Sequence, residues 1–330
     1  MSAPVCLIAS LALFCLGAAL PEARAQNYPV KSVRMIVPHP AGGGPIDGPA
    51  RGMAEYLGKS FGQTFVVENR DGADGLIGTE ATVKSAPDGY TLLTTSASVI
   101  TLNSFVRANL PYDTSRDLDP VGYIGVINSV VLVHPSVPAK SMRELLDLAR
   151  AKPNTISWGT LGTTSLGSLL IGLFKTKDFN APFYMIPYKS TVQALLGTVA
   201  GDVNVVAYAV GDATRLSKAG KLRALAISGG KRATDLPEVP TLGEVGVNLR
   251  FRNWVATFVP AGTPRDIVRR LNAEMAKAVA DAQYRQRYLE LVGLSVDEVS
   301  GVSPEKFAEF IKADREGYAE IVKAAGIEKR

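Results

Sequence analysis

Short runs of β-branched and aliphatic residues alternate along most of the chain with stretches whose apolar positions recur every three or four residues. Val33-Arg34-Met35-Ile36-Val37 reads as a strand. A Gly-rich loop follows it, and Met53, Leu57 and Phe61 then fall at i, i+4 and i+8 on one helical face. The same pattern predicts strands at Phe65 to Glu68, Thr91 to Thr95, Val130 to Val133, Ile156 to Gly159, Phe183 to Ile186, Val203 to Tyr208 and Leu222 to Ser228, with helices between them. Such alternation predicts an α/β fold, a parallel sheet flanked by helices. Helix starts are marked too. Ser141-Met142-Arg143-Glu144 has the form of a capping box, and Thr263-Pro264-Arg265-Asp266 puts Pro264 at a first helical position ahead of Ile267, Leu271 and Met275. The last helix is predicted from Pro304 to about Ala325, and no internal repeat of solenoid or propeller period is present.

The amino terminus follows a different pattern. Val5 to Leu20 is uninterrupted by charge and ends near Ala23-Arg24-Ala25, the small-x-small form that a signal peptidase cleaves, so residues 1–25 are expected to be an export leader removed after Ala25. Its first four residues carry no Lys or Arg, which departs from the usual leader. Leu13-Phe14 before Cys15 do not suit lipid attachment. Cys6 and Cys15 leave with the leader, and a chain without cysteine forms no disulfide, thiolate nucleophile or cysteine zinc site. His39 and His134 are too few for a histidine metal cluster, so no metal and no cofactor is expected. Pro120 to Ala139 and Thr155 to Phe174 also lack charge, but Gly, Pro, Ser, Thr and Asn interrupt them, and they read as buried strands and turns rather than bilayer spans.

At about 150 residues per domain, 330 residues suggest two. A hydrophobic fraction of 46% with 20% charged residues is that of an ordered globular protein, which sets aside disorder, collagen and coiled coil. The net charge of +5 is dispersed, with no basic run longer than two or three residues, and gives no nucleic-acid footprint.

Candidate chemistry gathers in two loops. Pro38-His39-Pro40-Ala41-Gly42-Gly43-Gly44-Pro45-Ile46-Asp47 lies between the first strand and the first helix. Three glycines allow backbone N–H groups to converge, and the helix N-terminus adds a positive dipole end, which together make an anion cradle. Asp47 is placed to cap the helix or brace the loop. A flexible surface turn is the plain alternative, and a nucleotide loop is excluded because neither Gly-Lys-Ser/Thr nor G-x-G-x-x-G is present. Gly159-Thr160-Leu161-Gly162-Thr163-Thr164-Ser165 offers amides and hydroxyls at the equivalent junction of the second half. Ligands of open α/β sheets bind outside the carboxyl ends of the strands, so the two loops are expected to face each other across a cleft. Catalysis is a weaker reading: the second loop lacks the G-x-S-x-G spacing, and both histidines read as structural.

Many further segments in order resemble one family, the Bug (TctC-type) extracytoplasmic solute receptors of tripartite tricarboxylate transporters. They include Tyr28-Pro29-Val30-Lys31, Ala50-Arg51, Val66-Val67-Glu68-Asn69-Arg70, Ala86-Pro87-Asp88-Gly89-Tyr90, Leu110-Pro111-Tyr112-Asp113, Pro187-Tyr188-Lys189, Leu236-Pro237-Glu238-Val239-Pro240-Thr241 and Pro260-Ala261-Gly262-Thr263-Pro264. The resemblance implies a periplasmic, non-enzymatic, monomeric receptor with the two-lobe periplasmic binding protein fold. It would close on a small organic carboxylate and deliver it to a large and a small integral-membrane subunit. It also implies a discontinuous first lobe, here 26–125 with 251–330, and a second lobe of 126–250. One ligand carboxylate would be held by amides and waters at Gly42, Gly43, Gly44, Ile46 and Asp47 and at Thr160, Gly162, Thr163, Thr164 and Ser165, with Ser96, Ser98, Asn103, Tyr188 and Tyr208 as further cleft positions.

The chain departs from the family at Val206-Ala207-Tyr208, where a Met-Phe-Asp is common. Tyr208 with Trp254 could favour a flat or aromatic acid, or both could pack the hinge. Sensing without transport, through a membrane kinase, stays open beside delivery.

Overall fold

The computed structural model describes residues 28–42, 44–162, 165–249 and 251–329. The expected leader and its cleavage after Ala25 lie outside the described residues. The strands are β1 (Val33–Val37), β2 (Phe65–Asn69), β3 (Thr91–Ser96), β4 (Leu118–Ile127), β5 (Ser129–Val133), β6 (Ser157–Leu161), β7 (Tyr184–Tyr188), β8 (Val205–Ala209), β9 (Arg223–Ile227), β10 (Trp254–Pro260) and β11 (Leu294–Ser295). They form two sheets, of order β11-β4-β10-β3-β1-β2 and β7-β6-β8-β5-β9.

Both sheets are mixed, which corrects the expectation of a parallel sheet. β1 is parallel to β2 and β3, but β10 runs antiparallel between β3 and β4. In the second sheet β6 is parallel to β7 and β8, while β5 is antiparallel to β8 and β9. While the two-residue edge strand β11 runs antiparallel to β4, the other reversed strands, β5 and β10, each follow a passage from one sheet to the other. Such a strand enters its new sheet at the edge nearest the crossing and runs away from it.

Each sheet is covered on both faces. Helices Gly44–Phe61 and Arg265–Ala280 bring Met53, Leu57, Leu271 and Met275 onto Met35 and Val37. Met53 and Leu57 are 0% exposed, and burial of each contributes about 1.5–3 kcal/mol. On the other face the helix Pro304–Ala324 packs Phe307 and Tyr318 with Ile36, Trp254 and Phe258. In the second sheet Met142–Ala151 and Leu166–Lys175 enclose Trp158 and Phe174, and Thr191–Ala200 and Val210–Lys218 cover Val130 and Val206 from the opposite side. Ser141 caps its helix by accepting from the Glu144 N–H, while Glu144 reaches back to the Lys140 N–H at 2.7 Å. Pro264 is the cap of its helix rather than the first helical residue, since regular hydrogen bonding starts at Arg265.

The passage between sheets is short. β4 ends at Ile127, β5 begins at Ser129, and Asn128 between them bonds in both directions. Its N–H donates to Gly293 O (3.2 Å), its Nδ2 to Ser295 Oγ (2.7 Å), and its carbonyl accepts from the Val210 N–H (3.1 Å). Strand pairing then fixes which ends meet the crossing. Ser96 at the end of β3 pairs with Val255, Trp254 pairs with Val126 near the end of β4, and Ser129 pairs with Ala209 at the end of β8. The carboxyl ends of β1, β2 and β3, and those of β6, β7 and β8, therefore lie on the edges nearest the crossing.

Candidate functional site

The first loop leaves β1 at Val37 and enters the helix at Gly44. Gly42 has φ +109° and Gly44 φ +77°, conformations that L side chains rarely adopt, so glycine is needed at both. Asp47 is 2% exposed and is engaged by the loop itself. Its Oδ2 accepts from the Gly42 N–H (3.1 Å) and from Arg51 Nε (3.0 Å), and its Oδ1 accepts from Asn69 Nδ2 (2.8 Å). Asn69 also donates to the His39 carbonyl (3.0 Å) and accepts from Arg51 Nη2 (2.7 Å). The carboxylate thus ties the glycine turn to the end of β2 and acts on any ligand through that geometry. Ile46 turns its side chain into the first core, leaving its backbone as the part that can face the loop. Gly43 lies outside the described residues.

The second loop shows related construction. Gly162 has φ +49°, and its carbonyl accepts from Thr160 Oγ1 (3.1 Å) and Ser168 Oγ (2.5 Å). Ser165 caps the helix Leu166–Lys175, its Oγ accepting from the Ser168 N–H at 3.3 Å. Hydroxyls here shape the loop and fix the helix N-terminus behind it, where unpaired N–H groups and the dipole favour an anion. Thr163 and Thr164 lie outside the described residues.

Between the loops, at the end of β3, Ser96 and Ser98 share a hydrogen bond of 2.8 Å and open a π-helical turn, Ser98–Leu102. Asn103 is buried and donates to Asp74 O (3.0 Å), holding a turn in which Ala73 and Asp74 have φ of 50° and 54°. Tyr188 is half-buried and lies over Gly159 and Gly197: a Cβ at Gly197 would come within 2.5 Å of its hydroxyl oxygen, and one at Gly159 within 3.3 Å of its ring. Tyr208 is half-buried at the end of β8, and burial, followed by the charge of Asp212, raises its phenol above the ordinary value.

Trp254 is 0% exposed, donates from its indole nitrogen to Asp314 Oδ2 (2.8 Å), and packs edge-on against Phe307. It has no surface to offer a ligand, and of its two sequence readings the structure takes packing. Burial pushes the Asp314 carboxyl up to about 6 despite the Trp254 and Arg252 donors.

Sequence reasoning assigned no role to Arg51, Asn69 or the Gly72–Gly75 turn. Arg51 at i+4 from Asp47 was a usable signal; Asn69 becomes a partner only through the β1–β2 pairing. Nor was the orphaned chemistry of this edge legible: His39 Nε2, Thr95 Oγ1 and Thr101 Oγ1 are buried without a protein partner. Burial lowers the His39 imidazole to about 4 against the opposing charges of Asp71 and Asp74, which keeps the ring neutral. Among the described residues no group of three or more His, Cys, Asp or Glu is placed to hold a metal, and no helix is long and apolar enough to cross a membrane. Surface depressions of about 320 Å³ by Lys31 and Tyr90 and about 430 Å³ by Glu55 and Gln63 include none of these loops.

Two mixed sheets joined through a short crossing, with strand-to-helix loops gathered on the edges beside it, define the class: a two-lobed periplasmic binding protein. The chain belongs to the tripartite tricarboxylate transporter receptor family, whose profile matches residues 49–327. It is 34% identical over 313 residues to BugT of Bordetella pertussis, covering 92% of this chain and 91% of that one. A protein of R. palustris solved with adipate superposes with a TM-score of 0.80 at 30% identity, over 92% of this chain and all of the other. MatC of Rhodopseudomonas palustris with bound malate gives 0.76 at 26% identity, over 89% of this chain and all of the other. The family is one of solute-binding receptors.

Proposed function

We propose that this receptor captures a small organic carboxylate between the Gly42–Asp47 and Thr160–Ser165 loops, in the periplasm, and presents it to the membrane subunits of a tripartite transporter. The lobes are taken as the two sheets with their helices, meeting at Asn128. What carries the reading is the placement of two helix N-termini, each behind a turn with positive-φ glycine, on the strand edges beside one crossing. Donors fixed in this way need no reorganisation to meet a carboxylate. The adipate and malate held by structural neighbours support a ligand with a carboxylate at each end, one held by backbone N–H groups and the other read by cleft side chains such as Tyr208. A titration of adipate, malate and their diamides by calorimetry tests it. The acids bind, and each diamide binds at least tenfold more weakly; equal affinity for acid and amide removes the anion cradle from the account.

A further inference from the structure

We infer that the end of the second lobe opposite these loops is a docking surface for an anionic bilayer. The observation behind it is an uneven distribution of charge. Residues 126–250 carry 14 Lys and Arg against 8 Asp and Glu, a surplus of 6, whereas the rest of the chain carries 22 against 23. The second lobe therefore holds all of the net positive charge.

Topology gathers much of that surplus at one pole. β6, β7 and β8 start, and β5 ends, at the edge away from the crossing. The segments there are held to one another: Arg223 Nη1 donates to Val137 O and Ala139 O (3.2 and 2.9 Å), Arg150 Nε to Phe179 O (2.7 Å), and the Asn154 N–H to Pro182 O (3.0 Å). Lys140, Lys152, Lys175, Lys177, Lys218 and Lys221 emerge from these segments, all exposed and none in an ion pair among the described residues. Four acids share the pole. Asp147 is paired with Arg150 at 2.6 Å, Glu144 accepts from the Lys140 N–H, and Asp178 and Asp202 complete the set.

Complementing a helix dipole explains Lys152, Lys175 and Lys218, which sit at helix C-termini, but leaves Lys140, Lys177 and Lys221 in the connections. Lysines outnumber arginines here six to three, and of the arginines Arg150 pairs with Asp147 and Arg223 is held by two carbonyls; lysines are flexible point charges that suit a diffuse anionic field, whereas recognition of a discrete carboxylate or phosphate favours the arginine fork. At the start of β7, Tyr184 is 58% and Met185 36% exposed, on opposite faces of the strand, apolar surface of the kind an interfacial site adds to its cations. β7 is an edge strand, yet it is a poor template for strand addition: the Tyr184 N–H points to Ile156 O, so position 187 of the alternating strand faces outward, and it is proline. The five strands make this pole about 20 Å wide. Binding here would anchor the receptor through one lobe and leave the loop edge uncovered.

Co-sedimentation of the mature chain with vesicles of equal parts phosphatidylglycerol and phosphatidylethanolamine tests the inference. The chain sediments with these and not with phosphatidylcholine vesicles, and added salt releases it. Each lysine removed weakens binding about fivefold, so Lys152→Gln/Lys177→Gln/Lys221→Gln lowers it roughly a hundredfold. Lys306→Gln/Lys312→Gln/Lys323→Gln, on the first lobe, leaves it unchanged. Both variants are checked for an unaltered melting temperature. Equal sedimentation with neutral vesicles, no sedimentation with anionic ones, or a pole variant that binds as the parent does overturns the inference. Preferential capture by polyglutamate in competition with the vesicles assigns the pole to an acidic polypeptide and overturns it equally.

Discussion

Substituting Gly42 with alanine separates the conformation of the first loop from its packing. A Cβ at this position meets nothing within 4 Å, so the variant brings no clash. The whole effect comes from φ, which at +109° costs a non-glycine residue about 1–3 kcal/mol. The loop sheds that strain by rotating Gly42 toward negative φ, which swings its N–H away from Asp47 Oδ2, now 3.1 Å distant. Restoring the binding conformation then costs the ligand the same amount, and at tenfold per 1.4 kcal/mol the dissociation constant rises about fivefold to a hundredfold. Gly48→Ala is the internal control. It lies in the helix Gly44–Phe61 without positive φ and also opens onto free space, so it adds about 0.5–1 kcal/mol of stability and leaves affinity unchanged. Calorimetric titration with the dicarboxylate that gives the largest thermal shift reads both. If the Gly42 variant melts normally and binds as tightly as the parent, the glycine turn is a connector and the cradle argument fails.

Asn69→Leu removes the donor to Asp47 Oδ1 and the acceptor for Arg51, and urea unfolding is expected to show a loss of about 1–3 kcal/mol together with weaker ligand binding; unchanged affinity would confine Asn69 to a structural role. Asp314 is raised from 3.8 to about 6, so the folded state holds its proton more tightly, and the resulting stability is full below 3.8 and lost as pH rises through about 6. The excess stability of the parent over Asp314→Asn is therefore larger at pH 4 than at pH 7, by up to about 3 kcal/mol, and a difference independent of pH refutes the assignment. His39 works in the opposite sense: lowered from 6.5 to about 4, it gives stability that is full above 6.5 and lost as pH falls through about 4, so His39→Gln flattens the acid limb of the unfolding profile. Small-angle scattering with and without a confirmed ligand should show a smaller radius of gyration when bound, and identical curves at saturation would mean that capture does not depend on closure.

The parts of the fold legible in the sequence are those whose cause is local. β1, β2, β3 and β5 to β9 appear as short β-branched runs, and the Gly42–Gly44 turn as glycines where positive φ is needed. β4 escaped because it carries Asp119-Pro120, Gly122 and Gly125, which punctuate loops elsewhere. Within the sheet its pairing with β10 shifts register twice, which accommodates the irregularity. β10 is buried along its whole length, and a continuous apolar run has no period by which to tell strand from buried helix. The same limit explains the site. Asp47 was legible as a brace, but its partner Asn69 depends on β1 pairing with β2. For Trp254 the sequence left ligand contact and packing both open, because the acid that takes its N–H lies 60 residues later.

A receptor of this kind has to satisfy two demands that the topology separates. On the proposed function the loops must sit on edges close enough to share one small ligand, and the strand reversals at β5 and β10 put both loops on the edges beside the crossing. The crossing must also bend without coming apart. Asn128 bonds through its main chain to Gly293 on one side and Val210 on the other, and added Cβ atoms at Gly211 and Gly293 would come within 3.0 Å of backbone across this contact. While side chains interlock further out, where Leu169 packs into the core that holds Phe307 and Tyr318, at the crossing itself the contact is thus largely backbone to backbone, joined by the Asn128 Nδ2 to Ser295 Oγ bond. A rotation about Asn128 changes these few distances little while moving the loop tips much more, so closure can draw its driving force from ligand contacts at the loops rather than from repacking at the pivot.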